Sequence, residues 1–112
     1  MPIRVKTHIF VAGLLRQAQI SDAFAYVVSK GDPDAGSLVL RISDMSGGNR
    51  LYRPVTAMDG GRMWMQSENM NDLAAHTEIG KLLSYDDDLW VVEIEDKLGR
   101  HFLTEPVQMF EG

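Results

Sequence analysis

Gly31-Asp32-Pro33-Asp34-Ala35-Gly36 separates two runs, Ala23 to Lys30 and Ser37 to Ser43, that both read as β-strands. Glycine supplies positive φ, proline fixes φ near −65°, and aspartate side chains bond the backbone two residues on. The six residues therefore form a loop, and a short loop between adjacent strands predicts a hairpin. On the far side of the loop, Leu38, Leu40 and Ile42 alternate with Val39, Arg41 and Ser43. On the near side, Phe24, Tyr26 and Val28 alternate with smaller residues. Period two is the strand signature.

Working outward, Ser46-Gly47-Gly48-Asn49 predicts a turn, Arg50 to Val55 a third strand, Asp59-Gly60-Gly61 a turn, and Arg62 to Gln66 a fourth strand. Pro54 marks a strand edge or end, because proline has no N–H for a ladder. Leu89 to Asp96 forms the clearest strand, with Trp90, Val92 and Ile94 on one face and Val91, Glu93 and Glu95 on the other. Arg100 to Leu103 predicts a further short strand, and residues 104–112 a tail ordered only if tethered.

Two helices flank this set. Phe10, Val11, Leu14, Leu15 and Ala18 make one stripe over Thr7 to Ile20, with Thr7 as N-cap; a strand over 3–11 is the competing reading. Ala75, Ile79, Leu82 and Leu83 make another over Asn69 to Ser84, capped by Asn69 with Asp72 in the capping-box position. The expectation is a single α+β domain over 1–112. It comprises a largely antiparallel meander of five to six strands with two helices packed on one face.

The bulk properties narrow function by exclusion. The chain has 112 residues, 45% hydrophobic, with no cysteine and a net charge of −5. Without cysteine there is no disulfide framework, thiolate metal site or cysteine nucleophile. The longest apolar run, Ile9 to Leu15, is far shorter than the roughly 20 residues of a membrane span. The N-terminus lacks a signal-peptide pattern, so the expected compartment is the cytoplasm, without membrane association. Residues 1–56 carry seven bases against four acids, whereas residues 78–112 carry three against nine. No nucleic-acid partner is expected, because that affinity rests on Lys and Arg displacing counterions.

Three groups of residues could carry function. Asp32 and Asp34 offer oxygen ligands of the kind Mg²⁺ and Ca²⁺ prefer, but the remainder of an EF-hand loop is absent. Asp86-Asp87-Asp88 with Glu93, Glu95 and Asp96 forms an acidic cluster. Within it, Glu95-Asp96-Lys97 resembles the acidic-x-lysine half of metal-dependent nucleases, where a carboxylate holds Mg²⁺ and lysine steadies the attacking water. An Mg²⁺-dependent hydrolase would thus use Asp34 with Glu93 or Glu95, with Asp32 beside them. Finally, Met63, Trp64 and Met65 suggest an adaptable partner surface, since methionine repacks easily. His8, His76 and His101 show no metal-ligand spacing, and Gly-x-Ser-x-Gly and Ser-x-x-Lys are missing.

Two stretches together carry a family resemblance. One is Ala23 to Gly36; the other is Asp86-Asp87-Asp88-Leu89-Trp90-Val91-Val92-Glu93-Ile94-Glu95-Asp96 followed by Arg100-His101-Phe102-Leu103. They resemble the bacterial small-protein family catalogued as domain of unknown function 1491, in the same order over nearly the whole chain. That family commonly has Asp-Pro-Asp before Leu-Trp, where this chain has Asp87 in place of proline. The resemblance implies no activity, cofactor or partner. The functional expectation is a non-enzymatic cytoplasmic module, without a cofactor, that binds or regulates a protein partner or self-associates. The Mg²⁺-dependent hydrolase is the alternative.

Overall fold

The computed structural model describes residues 5–109. Helix α1 (Thr7–Ile20) is followed by β1 (Phe24–Ser29), β2 (Leu38–Ser43), β3 (Asn49–Thr56) and β4 (Arg62–Gln66). Helix α2 (Asp72–Tyr85), β5 (Trp90–Glu95) and β6 (Val107–Met109) complete the chain. The six strands form one sheet in the order β1-β5-β2-β3-β4-β6.

The expected meander holds only from β2 to β4, where each pairing is antiparallel. Strand β5 lies between β1 and β2, antiparallel to β1 and parallel to β2. β6 runs parallel to β4, so the sheet is mixed. The predicted β1–β2 hairpin is therefore incorrect: the loop spans the width of an intervening strand. The residues explain the arrangement. Leu38-Val39-Leu40 and Leu89-Trp90-Val91-Val92 are continuous apolar runs, all buried, and such strands need cover on both faces. Strand β1 leaves Phe24 67% exposed and fits an edge.

Cover comes from both sides, which corrects the expectation of two helices on one face. Val11, Leu14 and Ala18 of α1 pack with Leu38, Leu40, Ile42, Tyr52, Trp64, Trp90, Val92 and Ile94. Ala75 and Ile79 of α2 pack with Val39, Leu51, Leu89 and Val91 on the other face. Strict alternation along β2 and β5 feeds both cores from the same strands.

Local details differ for physical reasons. Thr7 is not the N-cap of α1; it lies inside the helix and donates its hydroxyl to the Gly36 carbonyl at 2.7 Å. The His8 amide donates to the Pro33 carbonyl at 2.9 Å, so loop carbonyls take N–H groups that a capping side chain would otherwise satisfy. Asn71, not Asn69, caps α2 by accepting from the Ala74 amide at 2.8 Å. Arg100 to Leu103 is not a strand, while Val107–Met109 within the expected tail is one. Pro54 sits in β3 beyond its ladder with β2, so its missing N–H costs no bond there. Of the competing strand over 3–11, residues 3 and 4 lie outside the described residues, and the rest leads into α1.

Candidate functional site

The loop at 31–36 is tied to the beginning of β5. Asp32 donates its amide to the Asp88 carbonyl at 3.1 Å, and its own carbonyl accepts the Trp90 indole N–H at 2.7 Å. Its carboxylate accepts from the Ala35 amide at 2.8 Å, a local turn-forming bond that reaches three residues on rather than the expected two. Asp34 lies 3.7 Å from the Lys6 ammonium. Neither glycine of this loop has a positive φ. Both are required by close approach, since a Cβ on Gly31 or Gly36 would collide with the Asp88 carbonyl.

Glu93 and Glu95 are placed elsewhere. Both alternate with the buried α1-side residues of β5 and so face the α2 side, whereas Asp34 contacts Lys6 ahead of α1. Glu95 pairs with Phe24 and Ser43 at the end of β5 remote from the loop. Five residues of strand set it about 17 Å beyond Trp90. Among the described residues, no group of three or more His, Asp or Glu side chains is disposed to hold a metal ion. Asp32 and Asp34 are not brought together with Glu93 and Glu95.

Glu93 belongs instead to a polar row across the α2 side of the sheet. It accepts the Tyr26 hydroxyl from β1 and faces the Arg41 guanidinium of β2 at 3.4 Å. Arg41 also donates to Asn49 of β3 at 2.9 Å and lies 3.4 Å from Asp72 at the start of α2. Asn49 closes the row by donating to Asp72 at 2.8 Å. Burial, then the bond to Glu93, holds the Tyr26 phenol well above its ordinary range, so it is no ready base or nucleophile. Every charge in the row has a partner, which makes it a brace between four strands and α2. Sequence reading missed it because no motif marks cross-strand neighbours.

The methionine stretch divides by strand alternation. Trp64 is wholly buried on the α1 side, stacked on Phe10 at 5.9 Å, with its indole N–H donated to Glu105 at 2.9 Å. It is not part of a partner surface. Met63 and Met65 point the other way, beside Val55 and Arg53 on β3. There a groove of about 630 Å³ opens between α2 and the sheet. Leu51, Arg53 and Met65 form its floor, Ala74, Glu78 and Leu82 its helical wall, and Ser67, Glu68 and Met70 one end. Ala74, Glu78 and Leu82 recur every fourth residue, so they align on one face of α2. The groove exists because α2 covers β5, β2 and β3 and stops short of β4. Among the described residues, Arg53, Glu68 and Glu78 take part in none of the ion pairs.

The three histidines are separately employed. His8 Nδ1 lies 2.9 Å from the Pro33 carbonyl, and His76 is exposed on α2. His101 packs against Tyr52 at 5.2 Å and accepts the Leu103 amide on Nδ1, and burial pushes its pKa down. No helix of the described residues is long and apolar enough to cross a membrane.

Known proteins resemble this chain throughout. The model of the family described as protein of unknown function (DUF1491) matches residues 5–104. The crystal structure of a DUF1491 family protein from Caulobacter crescentus CB15 is 42% identical, covers 94% of this chain and 100% of that one, and superposes with a TM-score of 0.89. An NMR structure of a DUF1491 family protein from the same organism is 43% identical, with 96% and 99% covered and a TM-score of 0.79. The solution structure of a protein from A. tumefaciens is 29% identical, with 95% and 98% covered and a TM-score of 0.78. No curated protein matches the chain.

Proposed function

The chain belongs to the DUF1491 family, and for this member we propose a non-enzymatic cytoplasmic module that binds a protein partner through the groove between α2 and β3–β4. The observation that carries the reading is the groove itself, where the apolar side chains of Leu51, Met65, Met70 and Leu82 meet charges that take part in no ion pair among the described residues. Its volume falls in the range of ligand sites, roughly 300–1,000 Å³. A small-molecule site encloses most of its ligand, however, whereas this groove has a floor and one wall and is open on the remaining side. An open apolar strip with a charged margin suits a macromolecular surface. Met65 and Met70 add side chains that adapt to a partner's shape.

The test is capture from host lysate on immobilised protein, compared between wild type and Met65→Glu. Met65 is only half-buried, so the substitution is expected to leave the urea midpoint nearly unchanged. A specific partner retained by wild type should be lost, with at least a roughly tenfold drop in recovery, when a charge enters the groove floor. Equal recovery by both proteins would remove the groove from the function.

A further inference from the structure

We infer that the groove takes an amphipathic α-helix whose flanks carry Lys or Arg, laid beside α2 over β4; this rests on the groove being the binding site. The first argument is backbone accounting. Of the floor residues, Leu51 lies in the ladder with β2, Arg53 pairs with Met65 of β4, and Met65 also lies in the ladder with β6. The groove floor therefore offers a partner no free backbone N–H or C=O. An extended segment pressed onto that floor would bury its own backbone groups without bonds, whereas a helix satisfies its backbone internally.

The second argument is spacing. Helix α2 packs on Val39, Leu51 and Val91, so it lies across β5, β2 and β3. Neighbouring helices pack about 8–10 Å apart and strands lie about 4.8 Å apart. The next helix position on this face is about two strand widths away, which for a helix reaching β3 falls on the groove side, over β4 and toward β6. Met65 lies there, and Ala74 gives the helical wall a small residue where a neighbour can approach closely. The wall from Ala74 to Leu82 rises about 12 Å, enough to meet roughly two turns of a partner.

The third argument is charge. Glu68 stands at one end of the groove and Glu78 on its wall, both without ion pairs among the described residues. They call for Lys or Arg on the flanks of the incoming apolar stripe. Arg53, also unpaired, suits an acidic residue or the carbonyl-bearing C-terminal end of the same helix.

The experiment uses three peptides of roughly 14 residues, about four turns. One has Leu at helical spacing with Lys elsewhere, the second replaces Lys by Glu, and the third has the Leu and Lys strictly alternating as a strand. Binding is read by peptide fluorescence anisotropy and by NMR shifts of ¹³C-labelled methionine methyls. The helical Lys peptide should move Met65 and Met70, bind about tenfold tighter than the Glu peptide, and lose that preference in the Glu68→Gln/Glu78→Gln protein. Equal affinity for the alternating peptide would overturn the helix. A Lys preference that survives the double substitution would overturn the charge assignment, as generic attraction to an acidic chain. In both outcomes shifts at Met65 would still support the groove, whereas an absence of shifts at Met65 and Met70 with all three peptides would overturn this inference. The groove reading itself falls only if partner capture is also indifferent to Met65→Glu.

Discussion

Gly31 and Gly36 each face the Asp88 carbonyl too closely for any side chain. Because the obstacle is backbone of a buried strand's lead-in, it cannot swing aside as a flexible side chain would. Gly31→Ala or Gly36→Ala should therefore cost about 2–3 kcal/mol, read as a fall in the urea midpoint. Gly13 of α1 meets nothing within 4 Å, and Gly13→Ala should gain about 1 kcal/mol. Sequence reading identified the loop from its glycines but assigned them positive φ, and the neighbour that makes them necessary lies more than 50 residues downstream. The aspartates were legible as turn formers, and that is what Asp32 does. Met63, Trp64 and Met65 could not be told apart in the sequence, because alternation shows that faces differ without showing which face is covered.

At the scale of the element, the connection from Asp96 to Pro106 shows how a segment without regular structure is held. Arg100 returns to Asp96 with a 2.9 Å bond from Nε and holds its carboxyl below the usual range. Phe102 adopts a φ of 60°, which breaks the expected strand, and with Leu103 packs against the α1-side core. His101 anchors the middle through Tyr52 and the Leu103 amide. Its pKa is lowered by burial, so below about pH 6.5 the unfolded chain takes up the proton before the folded one. Stability contributed by neutral His101 is thus complete above that pH and declines as pH falls toward the lower folded value. The Asp96 contribution is present above the ordinary carboxylate pKa near 3.8 and is lost at still lower pH, so the two windows separate. Urea midpoints near pH 7.5 and 5.5 should differ more in wild type than in His101→Phe, which keeps an aromatic ring on Tyr52 but cannot titrate. An equal difference in both would assign the pH dependence elsewhere. Helix and strand bounds were largely legible because their periodicities are local; this segment's conformation is set by contacts distant in sequence.

Across the whole molecule, the composition of each strand was readable but their order was not. The apolar run Leu89 to Val92 leading into β5 and the three apolar residues opening β2 are the signal of central strands, and they were available in the sequence. A loop rich in glycine and proline fits a hairpin equally well, and nothing local reveals that another strand will enter between its arms. Placing helices on both faces follows from the same two strands, once they are recognised as buried on both sides.

The position of β5 also imposes an order in time. During synthesis β1 and β2 emerge early, yet among the described residues β1 finds its only sheet partner in residues 91–95. Until then the 31–36 loop lacks Asp88 and Trp90, and the carbonyls that receive the first turn of α1 are not held. The last-made third of the chain therefore completes the first-made third, a long-range closure of the kind that slows folding. A chain ended at Tyr85 should show no cooperative urea transition by circular dichroism, despite containing both helices and four strands.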